Sequence, residues 1–157
     1  MAIYVSVIGA GEASAELLAQ AEAVGREVAQ AGAVLVSGGR GGVMEAASRG
    51  ASEAGGVTVG LLPDRDRAHA NPFLTVSIPT GMGELRNGLV ARAGDAVIAI
   101  GGEFGTLSEI GFALKLGRPV VGLGTWELAR GGEPVDAIEV ASTPEDAVAR
   151  ALALARH

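Results

Sequence analysis

One unit recurs along this chain and restricts what it can fold into. A short run of aliphatic and β-branched residues is closed by glycines, then followed by apolar residues at helical spacing. Residues 3–8 form the first such run, and Gly9-Ala10-Gly11 ends it. Leu17, Leu18, Ala21, Val24 and Val28 then recur at helical spacing within 14–31, and Gly32 stops that helix. Ala33 to Val36 is a second run, closed by Ser37-Gly38-Gly39-Arg40-Gly41-Gly42 and followed by a helix from Val43 to about Ala54. Val57 to Leu62 predicts a third strand. Residues 63–72 are a polar loop between prolines, and residues 73–78 predict a fourth strand.

A helix is expected from about Gly83 to Arg92, with Leu85, Leu89 and Val90 on one side. Ala96 to Ile100 is apolar throughout, as a central parallel strand must be when both its faces are buried. The glycine turn 101–105 leads into a predicted helix 106–116. Strands are expected at Val120 to Leu123 and, at an edge, Ala137 to Val140. Thr143-Pro144-Glu145-Asp146 opens the last helix with a capping hydroxyl, a first-turn proline and early acids. The alternation predicts an α/β chain: a single Rossmann-like domain over residues 1–157. Its doubly wound, mainly parallel sheet carries helices on both faces. No internal repeat or domain boundary is visible.

Ligands of such sheets bind beyond the carboxyl ends of the strands, where the turns 9–11, 38–42 and 101–105 are expected to converge. The 25 glycines have no collagen-like period, so they read as turns. A net charge of −6 and the absence of a Lys/Arg run argue against a nucleic-acid partner. A small anion needs only backbone amides and one or two arginines. Cysteine is absent, which removes disulfides and thiolate chemistry. The start, Met1-Ala2-Ile3-Tyr4-Val5, has no basic leader, and no apolar stretch is long enough to span a bilayer. A cytoplasmic location and no membrane partner are expected.

The turn Gly9-Ala10-Gly11-Glu12-Ala13-Ser14 nearly matches the dinucleotide fingerprint, but Ser14 stands at its third glycine and no ribose-binding acid follows the second strand. NAD is therefore disfavoured, and no resident cofactor is expected. In the second turn, Gly38, Gly39, Gly41 and Gly42 around Arg40 leave the backbone open to a ligand. The segment Gly101-Gly102-Glu103-Phe104-Gly105-Thr106-Leu107-Ser108-Glu109 follows a buried strand and opens a helix, whose free N–H groups suit a phosphate. Thr106 and Glu109 also fit a capping box, in which each bonds the other's amide. Arg86 falls near the same sheet edge, as a ligand contact or as a surface ion pair. His69 and His157 lack metal-ligand companions, so no metal site is expected. Neither a Walker A sequence nor a nucleophile elbow occurs.

Ile100-Gly101-Gly102-Glu103-Phe104-Gly105-Thr106-Leu107-Ser108-Glu109 resembles the Pro-Gly-Gly-x-Gly-Thr-x-x-Glu motif of the Lonely Guy (LOG) family. These are nucleoside 5′-monophosphate phosphoribohydrolases that were long mislabelled as lysine decarboxylases. Gly38-Gly39-Arg40-Gly41-Gly42-Val43-Met44 resembles the family's earlier glycine motif, and Arg86-Asn87 its Arg-Lys pair. The same segments resemble molybdenum-cofactor carrier proteins, for which Arg-Asn is the closer match. The resemblance covers roughly residues 3–123. It implies a catalytic pair of Glu109 and Arg86. It also implies a phosphate site at Gly101, Gly102, Gly105 and Thr106. The converging turns and the Arg86-Asn87 pair add Gly9, Gly11, Gly38, Gly39, Arg40, Gly41, Gly42 and Asn87 as expected ligand-binding residues.

Two functions follow from it. One is hydrolysis of a nucleoside 5′-monophosphate to free base and ribose 5-phosphate. In that reaction a carboxylate stabilises an oxocarbenium-like centre or activates water. The other is a non-catalytic carrier or sensor of a phosphorylated ligand, either a nucleoside monophosphate or a pterin-type cofactor. Ile100 in place of the proline and Asn87 in place of the lysine bear on the first function more than on the second. Lysine decarboxylation is rejected, because Lys115 is the only lysine and lies near the far end of its helix. The resemblance also implies a homo-oligomer, a dimer or larger.

Overall fold

The computed structural model describes residues 1–156. Strands β1 (Tyr4–Gly9), β2 (Val34–Ser37), β3 (Thr58–Leu62) and β4 (Val76–Pro79) alternate with helices α1 (Ala15–Gln30) and α2 (Val43–Glu53). A 3₁₀ turn, Gly83–Arg86, runs into helix α3 (Asn87–Ala93). Strand β5 (Ala96–Ile100), helix α4 (Phe104–Lys115) and strand β6 (Val120–Leu123) follow. A hairpin of β7 (Leu128–Arg130) and β8 (Glu133–Val135) precedes the short strand β9 (Glu139–Val140) and helix α5 (Pro144–Ala155).

Seven strands form one sheet in the order β4-β3-β2-β1-β5-β6-β9, and every pairing within it is parallel. This is the architecture expected from the alternating pattern. From β1 the chain winds outward to β4, then returns across the sheet to β5 on the other side of β1. Right-handed crossovers in the two directions place helices on opposite faces. Period-two alternation along β5 shows the result: Ala96, Ile98 and Ile100 join one core with α1, α2 and α5, while Val97 and Ala99 join another with α3 and α4.

Helices α1 and α2 come into backbone contact at two glycines. A Cβ on Gly25 would lie 1.9 Å from the Ala47 carbonyl oxygen, and one on Gly50 would lie 1.9 Å from that of Glu22. Only hydrogen fits at either position, so two mid-helix glycines that weaken their helices set how close the pair comes.

Several boundaries differ from the sequence-based expectation. The fourth strand begins at Val76 instead of residue 73, because residues 73–75 are engaged by side chains. The Thr58 hydroxyl donates to the Phe73 carbonyl at 2.6 Å and accepts from the Thr75 amide at 2.8 Å. The expected helix 83–92 opens as a 3₁₀ turn, and the edge strand is only Glu139–Val140. The β7–β8 hairpin is too short and exposed to have shown a clear alternation. No helix of the described residues is long and apolar enough to cross a membrane.

Candidate functional site

Strands β1 and β5 are adjacent, yet the chain leaves them in opposite directions. Between the turns that follow them lies a cleft of about 400 Å³. Gly9, Ala10, Gly11 and Glu12 line one side, Glu103, Gly105, Thr106 and Glu109 the other, and Met44, Arg86 and Asn87 complete it. The position is a topological switch point, where neighbouring loops diverge and leave a crevice.

Helix α4 begins at Phe104, with Glu103 as its cap residue and no side-chain capping bond. Its first main-chain bond is from the Leu107 amide to the Glu103 carbonyl at 3.0 Å. The amides of Phe104, Gly105 and Thr106 therefore precede the hydrogen-bonded ladder and carry the positive end of the helix dipole. The two neighbouring helix starts each have an amide engaged by a preceding residue. The Ser14 hydroxyl accepts from the Leu17 amide at the start of α1, and the Ala10 carbonyl accepts from the Val43 amide at the start of α2.

The capping-box alternative for Thr106 and Glu109 does not hold. Gly101 (φ 55°) and Gly102 (φ 112°) turn the chain sharply, so the helix starts two residues before the expected position. Thr106 is the third helical residue and is 2 % exposed. A Cβ on Gly102 would lie 2.5 Å from the Thr106 Cβ, so that glycine is needed both for its φ and for this contact.

Glu109 lies one turn further along α4 and is 6 % exposed. Burial raises its pKa from 4.5 to about 8, against the opposing attraction of Arg86. Arg86 is itself 9 % exposed; burial lowers its pKa, and the charge of Glu109 counters that. Arginine nevertheless remains a cation at any physiological pH. Its Nη1 donates to the Asn87 Oδ1 at 2.5 Å, while its Nε is buried without a protein partner. The Asn87 amide nitrogen donates to the Ser108 hydroxyl at 3.2 Å, and that hydroxyl donates to the Gly105 carbonyl at 2.6 Å. A polar chain thus ties the guanidinium to the first turn of α4.

The structure brings Gly9, Gly11, Arg86, Asn87, Gly105, Thr106 and Glu109 to one cleft. Gly101 and Gly102 shape the turn behind it and border a second cavity beside Trp126. The 38–42 loop stands beneath the cleft. A Cβ on Gly38 would lie 2.8 Å from the Arg86 guanidinium carbon, and one on Gly42 would lie 2.3 Å from the Ala10 carbonyl oxygen. Gly41 faces the carbonyl of Gly11, and Gly39 packs on Leu62. Arg40 pairs with Asp64 at 3.1 Å, and both charges act on Arg86. Glu12 and Glu103, which no sequence motif marks, also line the cleft, and both are exposed at the rim. Among the described residues no group of three or more His, Asp or Glu stands together as a metal site, and His157 lies outside them.

The family model described as the SLOG cluster4 family matches residues 2–148. The chain belongs to that family. The chain is 42 % identical over 146 residues to an uncharacterized protein of Archaeoglobus fulgidus, covering 93 % of this chain and 92 % of the other. Among solved structures it is similar to the molybdenum cofactor binding protein of Rippkaea orientalis (33 % identity, TM-score 0.88, 98 % of each chain). It is also similar to the molybdenum cofactor carrier protein of Chlamydomonas reinhardtii (31 % identity, TM-score 0.85, 100 % of each chain). The superfamily suggested by the glycine motifs and Arg86-Asn87 is the one these comparisons give.

Proposed function

We propose that this SLOG cluster4 protein binds a phosphorylated small molecule in the β1–β5 cleft as a carrier or sensor, with a phosphorylated pterin such as molybdenum cofactor as its cargo. The observation that carries this reading is the pairing of three unladdered amides at the start of α4 with a buried arginine whose Nε has no protein partner. Amides at a helix N-terminus and a guanidinium both complement a phosphate dianion. The Rippkaea molybdenum cofactor binding protein and the Chlamydomonas molybdenum cofactor carrier protein, similar over 98 % and 100 % of their chains, support the choice of cargo.

In this reading Phe104, Gly105 and Thr106 contribute amides, Thr106 adds a hydroxyl, and Arg86 supplies the countercharge. Asn87 holds the guanidinium, and the Gly9–Gly11 turn covers the opposite side. Glu109, with its pKa near 8, is protonated at neutral pH and adds no charge against the phosphate. A net charge of −6, with Glu12 and Glu103 at the rim, supports a small ligand over nucleic acid. The reading includes a single domain and a homo-oligomer; light scattering that gives a monomer at micromolar concentration overturns the latter.

Calorimetry with neopterin monophosphate, AMP and ribose 5-phosphate tests the site. Binding that weakens on Arg86→Met is expected, and the absence of binding by all three probes overturns the proposal.

The phosphoribohydrolase reading draws on one observation, the placement of Glu109 with a pKa near neutrality beside Arg86. A protonated carboxyl can donate to a leaving base, but a bound phosphate would further disfavour the carboxylate needed to stabilise an oxocarbenium centre. Base release from AMP above that of Glu109→Gln would establish hydrolysis; none is expected.

A further inference from the structure

The chain has only five aromatic residues, three Phe, one Trp and one Tyr. Two of them meet beside the candidate site. The rings of Phe104 and Trp126 stack with centroids 5.7 Å apart and planes inclined by 30°. Phe104 is the first residue of α4, whose first turn contributes Gly105 and Thr106 to the cleft, and it is 76 % exposed. Trp126 is half-buried against the core on the α3–α4 face, and its indole N–H donates to the Glu103 carbonyl at 3.3 Å. The next loop is tied to the same turn, because the Thr125 hydroxyl donates to the Gly101 carbonyl at 2.6 Å. Trp126 is thereby held in place behind a phenyl ring that shows most of its surface to solvent.

Two cavities meet at Glu103, next to Phe104 in the chain, and the ring of Phe104 stands outside both. Glu103 borders both, Gly105 borders the first, and Trp126 borders the second, a cavity of about 380 Å³ with Gly101, Gly102 and Gly124 on its floor. A helix gains nothing from a bulky apolar residue at its first position, and exposing one forgoes the gain from burying it. A fixed, exposed aromatic surface next to an anion site suits a ligand that joins a phosphate to a flat ring.

We infer that the Phe104–Trp126 pair is the platform on which the planar heteroaromatic ring of the ligand stacks. This inference rests on the proposed phosphate site and assigns it a ring subsite. The subsite confers selectivity for phosphorylated pterins and purine nucleotides over phosphorylated sugars.

Trp126 is the only tryptophan, so its fluorescence reports on the platform directly. Neopterin monophosphate, AMP and ribose 5-phosphate are titrated into the full chain, with binding followed both by tryptophan emission and by calorimetry. AMP and neopterin monophosphate are expected to quench the emission, and ribose 5-phosphate to bind without quenching. Phe104→Leu keeps the apolar bulk and the backbone amide but lacks the π face. It should weaken the two ring ligands about tenfold and leave ribose 5-phosphate unchanged. Phe104→Tyr should restore their affinity.

Ring ligands that bind equally well to Phe104→Leu and do not alter Trp126 emission overturn the platform while leaving the phosphate site intact. Equal weakening of all three ligands, with no recovery in Phe104→Tyr, assigns Phe104 to the architecture of the turn and also overturns it. No binding of any probe to the parent protein overturns both the platform and the phosphate site.

Discussion

Asn87 Oδ1 accepts a hydrogen bond from the Nη1 of Arg86, the residue immediately before it, at 2.5 Å. A lysine at that position has no acceptor to offer. The Arg-Asn pair therefore orients one cation, whereas an Arg-Lys pair presents two. In Asn87→Lys the guanidinium loses its partner and gains a like charge, both inside a largely buried site. Stability should fall by about 1–3 kcal/mol in urea denaturation, and phosphate-ligand affinity should fall in calorimetry despite the added positive charge.

Glu109 should make stability depend on pH. Its pKa in the folded chain, about 8, is raised above the ordinary 4.5, so between those values the folded state holds a proton that the unfolded chain releases. The stability it contributes is fully present below the ordinary value and is lost as pH rises through about 8. The maximum slope is about 1.4 kcal/mol per pH unit. Glu109→Gln cannot ionise and should flatten this dependence in denaturant melts between about pH 4.5 and 8.

Ligand binding should follow the same titration. Above about pH 8 an ionised Glu109 sets a negative charge near the phosphate, so affinity for ribose 5-phosphate should decline from neutral to alkaline pH. Glu109→Gln should bind with little change over that range. An unchanged decline in the variant would assign the effect to another group.

The turn before α4 should tolerate no side chain at Gly102. Its φ of 112° and the 2.5 Å approach of Thr106 both oppose a Cβ, so Gly102→Ala should cost about 2 kcal/mol or more. Gly11→Ala, where nothing lies within 4 Å, should remain within about 0.5 kcal/mol of the parent. Thermal melts of the two variants make the comparison.

The α1–α2 crossing gives a prediction remote from the cleft. A methyl group at Gly25 would meet the Ala47 carbonyl oxygen at 1.9 Å, so Gly25→Ala must force the helices apart at a cost of about 3 kcal/mol. The melting temperature should fall while ligand affinity in calorimetry changes little.

Local pattern alone determined the alternation of strands and helices, the parallel sheet, and the turns that carry the site. Chain-local signals suffice for these: β-branched runs, glycine closures and helical spacing are set by backbone sterics and by which residues avoid water. Glu109, Arg86 and the 101–106 turn were legible for the same reason, since each sits in a motif a few residues long. Long-range packing decided the rest. Gly25 and Gly50 look like helix-weakening residues until the two helices are brought together. In the 38–42 loop only the fold shows that Gly38 lies against Arg86 and that Arg40 pairs with Asp64. Thr106 and Glu109 fit a capping box until Gly102 moves the helix start. Tertiary structure also turned an ordinary glutamate into an acid with a pKa near 8, because ionisation depends on water excluded by residues far away in the chain. Trp126, separated from the glycine motif by a helix and a strand, comes to rest against Phe104 only when β5 and β6 align.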